Sequence, residues 1–133
     1  MQSATELTQA NTGGTLVIAT DYGGQWDIAQ AAAKLFAEVK QGNLPESDIT
    51  EQQLAKYISL ADLPAPDLLI RTGGEHRVSN FLLWQTAYSE LYFTDTYWPD
   101  FTKQELLVAF DDYAQRERRF GRTSEQIGAK TSA

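Results

Sequence analysis

Two short apolar runs, Thr15-Leu16-Val17-Ile18-Ala19-Thr20 and Asp67-Leu68-Leu69-Ile70-Arg71, each give way within three residues to a pair of glycines. A run of this length without polar alternation is the pattern of a strand covered on both faces. A glycine pair directly after it permits a sharp turn or a close backbone approach. Glu90-Leu91-Tyr92-Phe93-Thr94 reads as a third strand. Between the runs, Ile28, Ala31, Ala32, Leu35, Phe36 and Val39 recur at helical spacing, and that helix should stop near Gly42. Thr50-Glu51-Gln52-Gln53 is a capping-box pattern opening a short helix with Leu54, Tyr57 and Ile58 inward, ended by Leu63-Pro64-Ala65-Pro66. Phe81 to Tyr88 reads as helix, and Thr102-Lys103-Gln104-Glu105 opens another, with Leu106, Phe110, Tyr113 and Ala114 on one face. Residues 1–12 lack a clean period and read as a helix end or frayed terminus. The alternation predicts an α/β fold with a parallel sheet and helices packed on it. Three strands are few for such a sheet, whose usual size is about five or six.

Charge narrows the function. The chain has 133 residues and a net charge of −7, which argues against a nucleic-acid partner. All six arginines nevertheless lie in two islands, Arg71 with Arg77, and Arg116, Arg118, Arg119 with Arg122. Arginine is the residue suited to bidentate recognition of phosphate or carboxylate, so the islands point to a local anion site. Surface ion pairing with neighbouring Asp and Glu is the alternative. No apolar run approaches the roughly 20 residues of a membrane span. The first residues lack the basic and apolar regions of a secretory signal. With no cysteine there is neither a disulfide framework nor a thiolate metal site, and a cytoplasmic location is the expectation.

In open parallel sheets ligands sit beyond the carboxyl ends of the strands. Thr72-Gly73-Gly74-Glu75-His76-Arg77-Val78-Ser79-Asn80 lies there, behind Arg71. Exposed backbone N–H groups, two guanidiniums and the Ser79 hydroxyl would form a cradle for a phosphate or diphosphate. Neither GxxxxGK[ST] nor GxGxxG is present. The competing reading is a tight turn whose arginines pair with Asp67 and Glu75. His76, the only histidine, cannot build a two-histidine zinc site. Glu90 stands where an apolar stretch meets a strand; it either pairs locally or serves a hard cation such as Mg²⁺. Asp111-Asp112 reads as two solvated residues of a helix face. Trp84, Tyr88, Tyr92, Phe93, Tyr97 and Trp98 read as core or subunit interface. No serine–histidine or cysteine–histidine nucleophile pair is available.

The run from Asp67 to Gln85, DLLIRTGGEHRVSNFLLWQ, closely resembles the signature of the cis-prenyltransferases, the family of bacterial undecaprenyl diphosphate synthase. Tyr22-Gly23-Gly24-Gln25-Trp26-Asp27, Ala87-Tyr88-Ser89-Glu90-Leu91-Tyr92-Phe93, Trp98-Pro99-Asp100-Phe101 and Arg116-Glu117-Arg118-Arg119-Phe120-Gly121 match in order, from about Asn11 to Gly121. The resemblance implies condensation of isopentenyl diphosphate with an allylic diphosphate, usually farnesyl diphosphate, into a long cis-polyprenyl diphosphate such as the undecaprenyl lipid carrier of cell-wall synthesis. It implies that Arg71, Arg77, Val78 and Ser79 hold isopentenyl diphosphate, that Glu90 binds Mg²⁺, and that His76 lies near metal and diphosphate. Arg119 and Gly121, within the family's RxG motif, would reach a diphosphate across a homodimer interface. Gly73 and Gly74 would shape the backbone.

Family members are about twice as long, and the likeness is to their C-terminal half. The family's first motif, an Asp-Gly-Asn-Gly-Arg-Trp-like stretch with an essential aspartate, has no counterpart here, so no catalytic residue is assigned. Residues 1–122 are therefore expected to be the C-terminal portion of a cis-prenyltransferase domain, and 123–133 a disordered tail. Alone, the chain is expected to be inactive. The alternative is a catalytically silent accessory subunit of a heteromeric enzyme. A lipidic product adds the expectation of peripheral contact with the inner membrane surface.

Overall fold

The structure is a computed structural model that describes residues 2–116. The expectations for Arg119, Gly121 and the tail fall on residues outside those described. A first helix, α1 (Gln2–Thr8), precedes an irregular stretch that leads to α2 (Gly24–Lys40), the longest helix among the described residues. A short helix α3 (Glu51–Ala55), strand β1 (Leu68–Arg71), strand β2 (Glu90–Phe93) and helix α4 (Lys103–Gln115) follow.

The parallel sheet is present, built by β1 and β2 in the register Leu68↔Glu90, Leu69↔Leu91, Ile70↔Tyr92 and Arg71↔Phe93. Bonds beyond both ends extend the pairing. Glu90 N–H donates to the Asp67 carbonyl at 2.9 Å and Thr94 N–H to the Arg71 carbonyl at 3.0 Å. The Ser89 hydroxyl donates to the Pro66 carbonyl at 2.6 Å, closing the amino end.

Two expected elements do not form. Thr15–Thr20 makes no ladder, and Leu16 and Ile18 are 85% and 63% exposed. An apolar run becomes an interior strand only with neighbours on its edges and helices on its faces, and no described residues supply them. Phe81–Tyr88 is a chain of turns rather than a helix. Ser79, Asn80 and Leu82 have φ of 52°, 64° and 45°, the left-handed region from which an α-helix cannot start. The bonds Thr86 N–H to Leu82 O and Ala87 N–H to Trp84 O close single turns that do not propagate.

The helices bury narrower faces than their periodicity predicts. In α2 the buried stripe is Gly24, Asp27, Ala31 and Leu35, while Ala32 is exposed and Phe36 is 65% exposed. In α4 it is Ala109 that is buried; Phe110 is 48% exposed and Ala114 also faces solvent. The α4 capping box closes fully, Thr102 Oγ1 accepting Glu105 N–H and the Glu105 carboxylate accepting Thr102 N–H. At α3 only the Thr50 half forms, Oγ1 accepting Gln53 N–H at 3.2 Å. Helix α3 packs on α2, and α4 on β2.

Among the described residues the buried hydrophobic ones are Ala31, Leu35, Ile58 and Ala109. Tyr88, Tyr97 and Trp98 are exposed, so the aromatic cluster does not form a core; Trp84, Tyr92 and Phe93 are half-buried.

Candidate functional site

The loop after β1 closes on itself and on the segment after β2. Gly73 and Gly74, with φ of 88° and 75°, adopt a conformation open to glycine at little strain. Gly73 N–H donates to the Thr96 carbonyl at 2.8 Å and Gly74 N–H to the Thr94 carbonyl at 3.0 Å. These two amides are therefore engaged and cannot serve as the phosphate donors expected from the sequence. The guanidiniums and the hydroxyl carry the site instead.

Arg71, at the carboxyl end of β1, turns Nη1 into the loop, donating to the Arg77 carbonyl and to Ser79 Oγ at 2.8 Å. Arg77 is ion-paired with Glu75, and both side chains are well exposed. Such a pair is worth at most about 1 kcal/mol, so an anion reaches Arg77 with little competition. Val78 is half-buried. His76 packs its ring against Phe93 with centroids 5.2 Å apart, fixing it beside the carboxyl end of β2. Arg71, His76, Arg77, Val78 and Ser79 are thus brought to one end of the sheet, with two guanidiniums supplying the positive charge.

That loop is tied to α2 through Asn80. Its side-chain oxygen accepts Gln25 N–H at 2.8 Å and its carbonyl accepts Gly24 N–H at 2.7 Å. Two of the first free donors of a seventeen-residue helix are satisfied by the residue following Ser79. Gly24 permits the approach: a Cβ there would lie 2.7 Å from Leu83 Cγ.

Beneath the junction lies Asp27, 2% exposed. It accepts the Tyr22 hydroxyl at 2.8 Å, Ser59 N–H at 2.9 Å, the Ser59 hydroxyl at 2.8 Å and Gln85 Nε2 at 3.1 Å. Burial alone would raise its pKa, but the Ser59 N–H, the Ser59 hydroxyl, Tyr22 and Gln85 together hold it below the ordinary carboxylate value. Burial and the neighbouring carboxylate push the Tyr22 phenol up. One ionised carboxylate thereby joins the turn before α2, the exit of α3 and the segment after the arginine loop.

Glu90 is not part of the cradle within one chain. It opens β2 opposite Leu68, three register positions from the carboxyl end where Arg71 sits, roughly 10 Å along the strand. Its carboxylate pairs with Arg116, 26 residues further along the chain. Asp112 also meets Arg116, whereas Asp111 is solvated. No group of three or more His, Asp or Glu poised for a metal occurs among the described residues. A cavity of about 960 Å³ opens elsewhere, lined by Ile28, Ile58, Leu63, Leu83, Trp84 and Tyr88 among others, and touches none of the cradle residues.

Asn80, Asp27, Gln85 and Arg116 are the residues whose roles sequence reasoning missed. Asp27 had a signal: it stands four residues before Ala31 on the buried stripe, where a carboxylate needs partners.

Residues 1–121 match the prenyltransferase family profile of undecaprenyl diphosphate synthases. The chain is 56% identical over 133 residues to the ditrans,polycis-undecaprenyl-diphosphate synthase ((2E,6E)-farnesyl-diphosphate specific) of Pseudomonas syringae pv. tomato, covering all of this chain and 53% of that protein. It is 61% identical over 127 residues to an isoprenyl transferase of Neisseria meningitidis serogroup A, covering 96% of this chain and 49% of the relative. Among solved structures, the lavandulyl diphosphate synthase of Lavandula x intermedia in complex with dimethylallyl diphosphate superposes with a TM-score of 0.86 at 43% identity, over 91% of this chain and 52% of that one. The chain spans about half the length of these proteins.

Proposed function

This chain belongs to the undecaprenyl diphosphate synthase family of cis-prenyltransferases, and from that premise we propose that it supplies the diphosphate-binding part of an isoprenyl transferase. The observation that carries the reading is the convergence of Arg71, Arg77 and Ser79 at the carboxyl end of β1. The substrates are isopentenyl diphosphate and an allylic diphosphate, with farnesyl diphosphate as the acceptor of cis units and undecaprenyl diphosphate as the product. The related synthase of Pseudomonas syringae is named as specific for farnesyl diphosphate, and that name supports the choice.

In this reaction the alkene of isopentenyl diphosphate forms a carbon–carbon bond to the allylic C1, the allylic diphosphate leaves, and a proton is lost from the new unit. The chain's own residues act by binding and orientation. Arg71 exchanges its contacts to the Arg77 carbonyl and Ser79 hydroxyl for diphosphate oxygens, and Arg77 leaves Glu75 for the same anion. Fixing the diphosphate fixes the distance of the alkene from its electrophile, the proximity contribution to rate. Asn80 ties the end of this loop to α2, and Gln85 just beyond it bonds Asp27, so that end is anchored without the ligand.

Mg²⁺ is the proposed cofactor, and the donor chemistry fits it: Glu90 is a half-buried hard oxygen ligand, and Mg²⁺ commonly takes one or two carboxylates with phosphate and water. Held there, it would supply charge neutralisation of the diphosphate and so assist its departure. Arg119 and Gly121 are proposed to contact a diphosphate across a homodimer interface. No described helix is long and apolar enough to cross a membrane; peripheral contact with the inner membrane surface is proposed from the lipid product.

Calorimetric titration of the chain with isopentenyl diphosphate and Mg²⁺, against Arg71→Ala, tests the reading. Saturable binding lost in the variant supports it. Equal binding by both chains overturns it.

A further inference from the structure

Glu90 already has a cation beside it. Arg116, at the end of α4, donates Nη1 to Glu90 Oε2 at 3.0 Å and to the Leu91 carbonyl at 2.9 Å, while Nη2 lies 2.6 Å from Asp112 Oδ2. A guanidinium stays protonated at any working pH, so the positive charge is permanent. The Leu91 carbonyl and Asp112 grip the guanidinium independently of Glu90. It therefore cannot swing aside as a singly held surface lysine does. Glu90 Oε1, in contrast, has no hydrogen bond from any described residue.

We propose that Arg116 is the positioning residue of Glu90. It fixes the carboxylate at the start of β2, leaves one oxygen for a divalent cation and, as a resident positive charge, weakens that cation's hold. The proposal rests on reading Glu90 as a Mg²⁺ ligand. Two cations sharing one carboxylate repel. The side chains of Arg116 and Glu90 are 32% and 29% exposed, so water screens much of that repulsion. Removing the guanidinium charge in such surroundings raises divalent affinity about tenfold. Glu90 is accordingly a weak site in the resting chain, one a free cation fills poorly.

The test is Mn²⁺ binding to the full chain, read by electron paramagnetic resonance, in wild type, Arg116→Gln, Arg116→Lys, Glu90→Gln and the Arg116→Gln/Glu90→Gln pair, with circular dichroism to establish folding. Arg116→Gln should bind Mn²⁺ about tenfold more tightly. Arg116→Lys, which keeps the charge, should stay near wild type, and the double variant should lose the gain. An affinity in Arg116→Gln equal to or below wild type overturns the proposal, while a loss in Glu90→Gln leaves the ligand assignment standing. A gain that survives in the double variant places the ion elsewhere and ends the reading of Glu90 as a ligand. Should Arg116→Gln not fold, wild type answers alone. Bound Mn²⁺ should broaden the Arg116 guanidinium ¹⁵N resonance, and a resonance left sharp with Mn²⁺ bound overturns the proposal.

Discussion

The side-chain oxygen of Asn80 accepts the backbone N–H of Gln25 at 2.8 Å, joining residues 55 positions apart and making the end of the arginine loop the cap of α2. Helix and loop are therefore one unit, and disturbing either moves the other.

Asn80 combines a cap with a left-handed backbone, φ 64°. Asn80→Gly keeps the conformation and loses only the side-chain bond; Asn80→Ala adds strain. Loss of a cap costs about 1 kcal/mol, and a non-glycine residue in this region roughly 1 kcal/mol more. Thermal unfolding should rank wild type above Asn80→Gly, and Asn80→Ala lowest. An equal midpoint for Asn80→Ala and wild type would show the cap to be inert.

Gly24 is set against Leu83, with a Cβ falling 2.7 Å from Leu83 Cγ and 3.1 Å from its backbone nitrogen. Gly24→Ala should destabilise by about 1–3 kcal/mol, because backbone as well as side chain must shift. Gly13 and Gly14 have nothing within 4 Å, so alanine at either should lie within about 0.5 kcal/mol of wild type. Urea midpoints measure the contrast.

Asp27 predicts an acid limit. Its folded pKa lies below the unfolded value, 3.8, so its charge stabilises the fold above that value. The contribution fades as pH falls through the unfolded pKa towards the folded one, and is gone below both. In melts from pH 7 to 2, wild type should lose stability more steeply than Asp27→Asn in the acid range. At pH 7 Asp27→Asn should be the less stable of the two. Parallel curves would remove Asp27 from the acid transition.

Arg71 and Ser79 should differ in their effect on isopentenyl diphosphate affinity. Hydrogen bonds to charged groups contribute about 1.5–3 kcal/mol, so Arg71→Ala should weaken binding by about 10- to 150-fold. Ser79→Ala removes one neutral hydroxyl donor to the diphosphate and should weaken it by about tenfold at most. Titration calorimetry separates the two, and a larger loss for Ser79→Ala would reverse the order of importance.

The arginine loop was legible because its residue types state their chemistry locally. Glycines at 73 and 74 mark a turn, and two arginines with a serine mark an anion site. Periodicity also located α2, α4 and the two strands. It failed at Thr15–Thr20 and Phe81–Tyr88 for one reason: apolar content reports that a side chain seeks cover, not which backbone groups will meet. The first run has no ladder neighbour among the described residues, and the second begins from left-handed residues committed to α2.

By itself the sequence determined strands β1 and β2, helices α2, α3 and α4, the turn after β1 and the cation islands, all set by residues close together in the chain. Tertiary structure alone decided that Asn80 caps α2, that Asp27 stays charged under four donors, that the Gly73 and Gly74 amides are engaged, and that Glu90 answers to Arg116 rather than to Arg71. Those outcomes hang on hydrogen bonds whose partners stand up to 58 residues apart, a separation that no local pattern encodes.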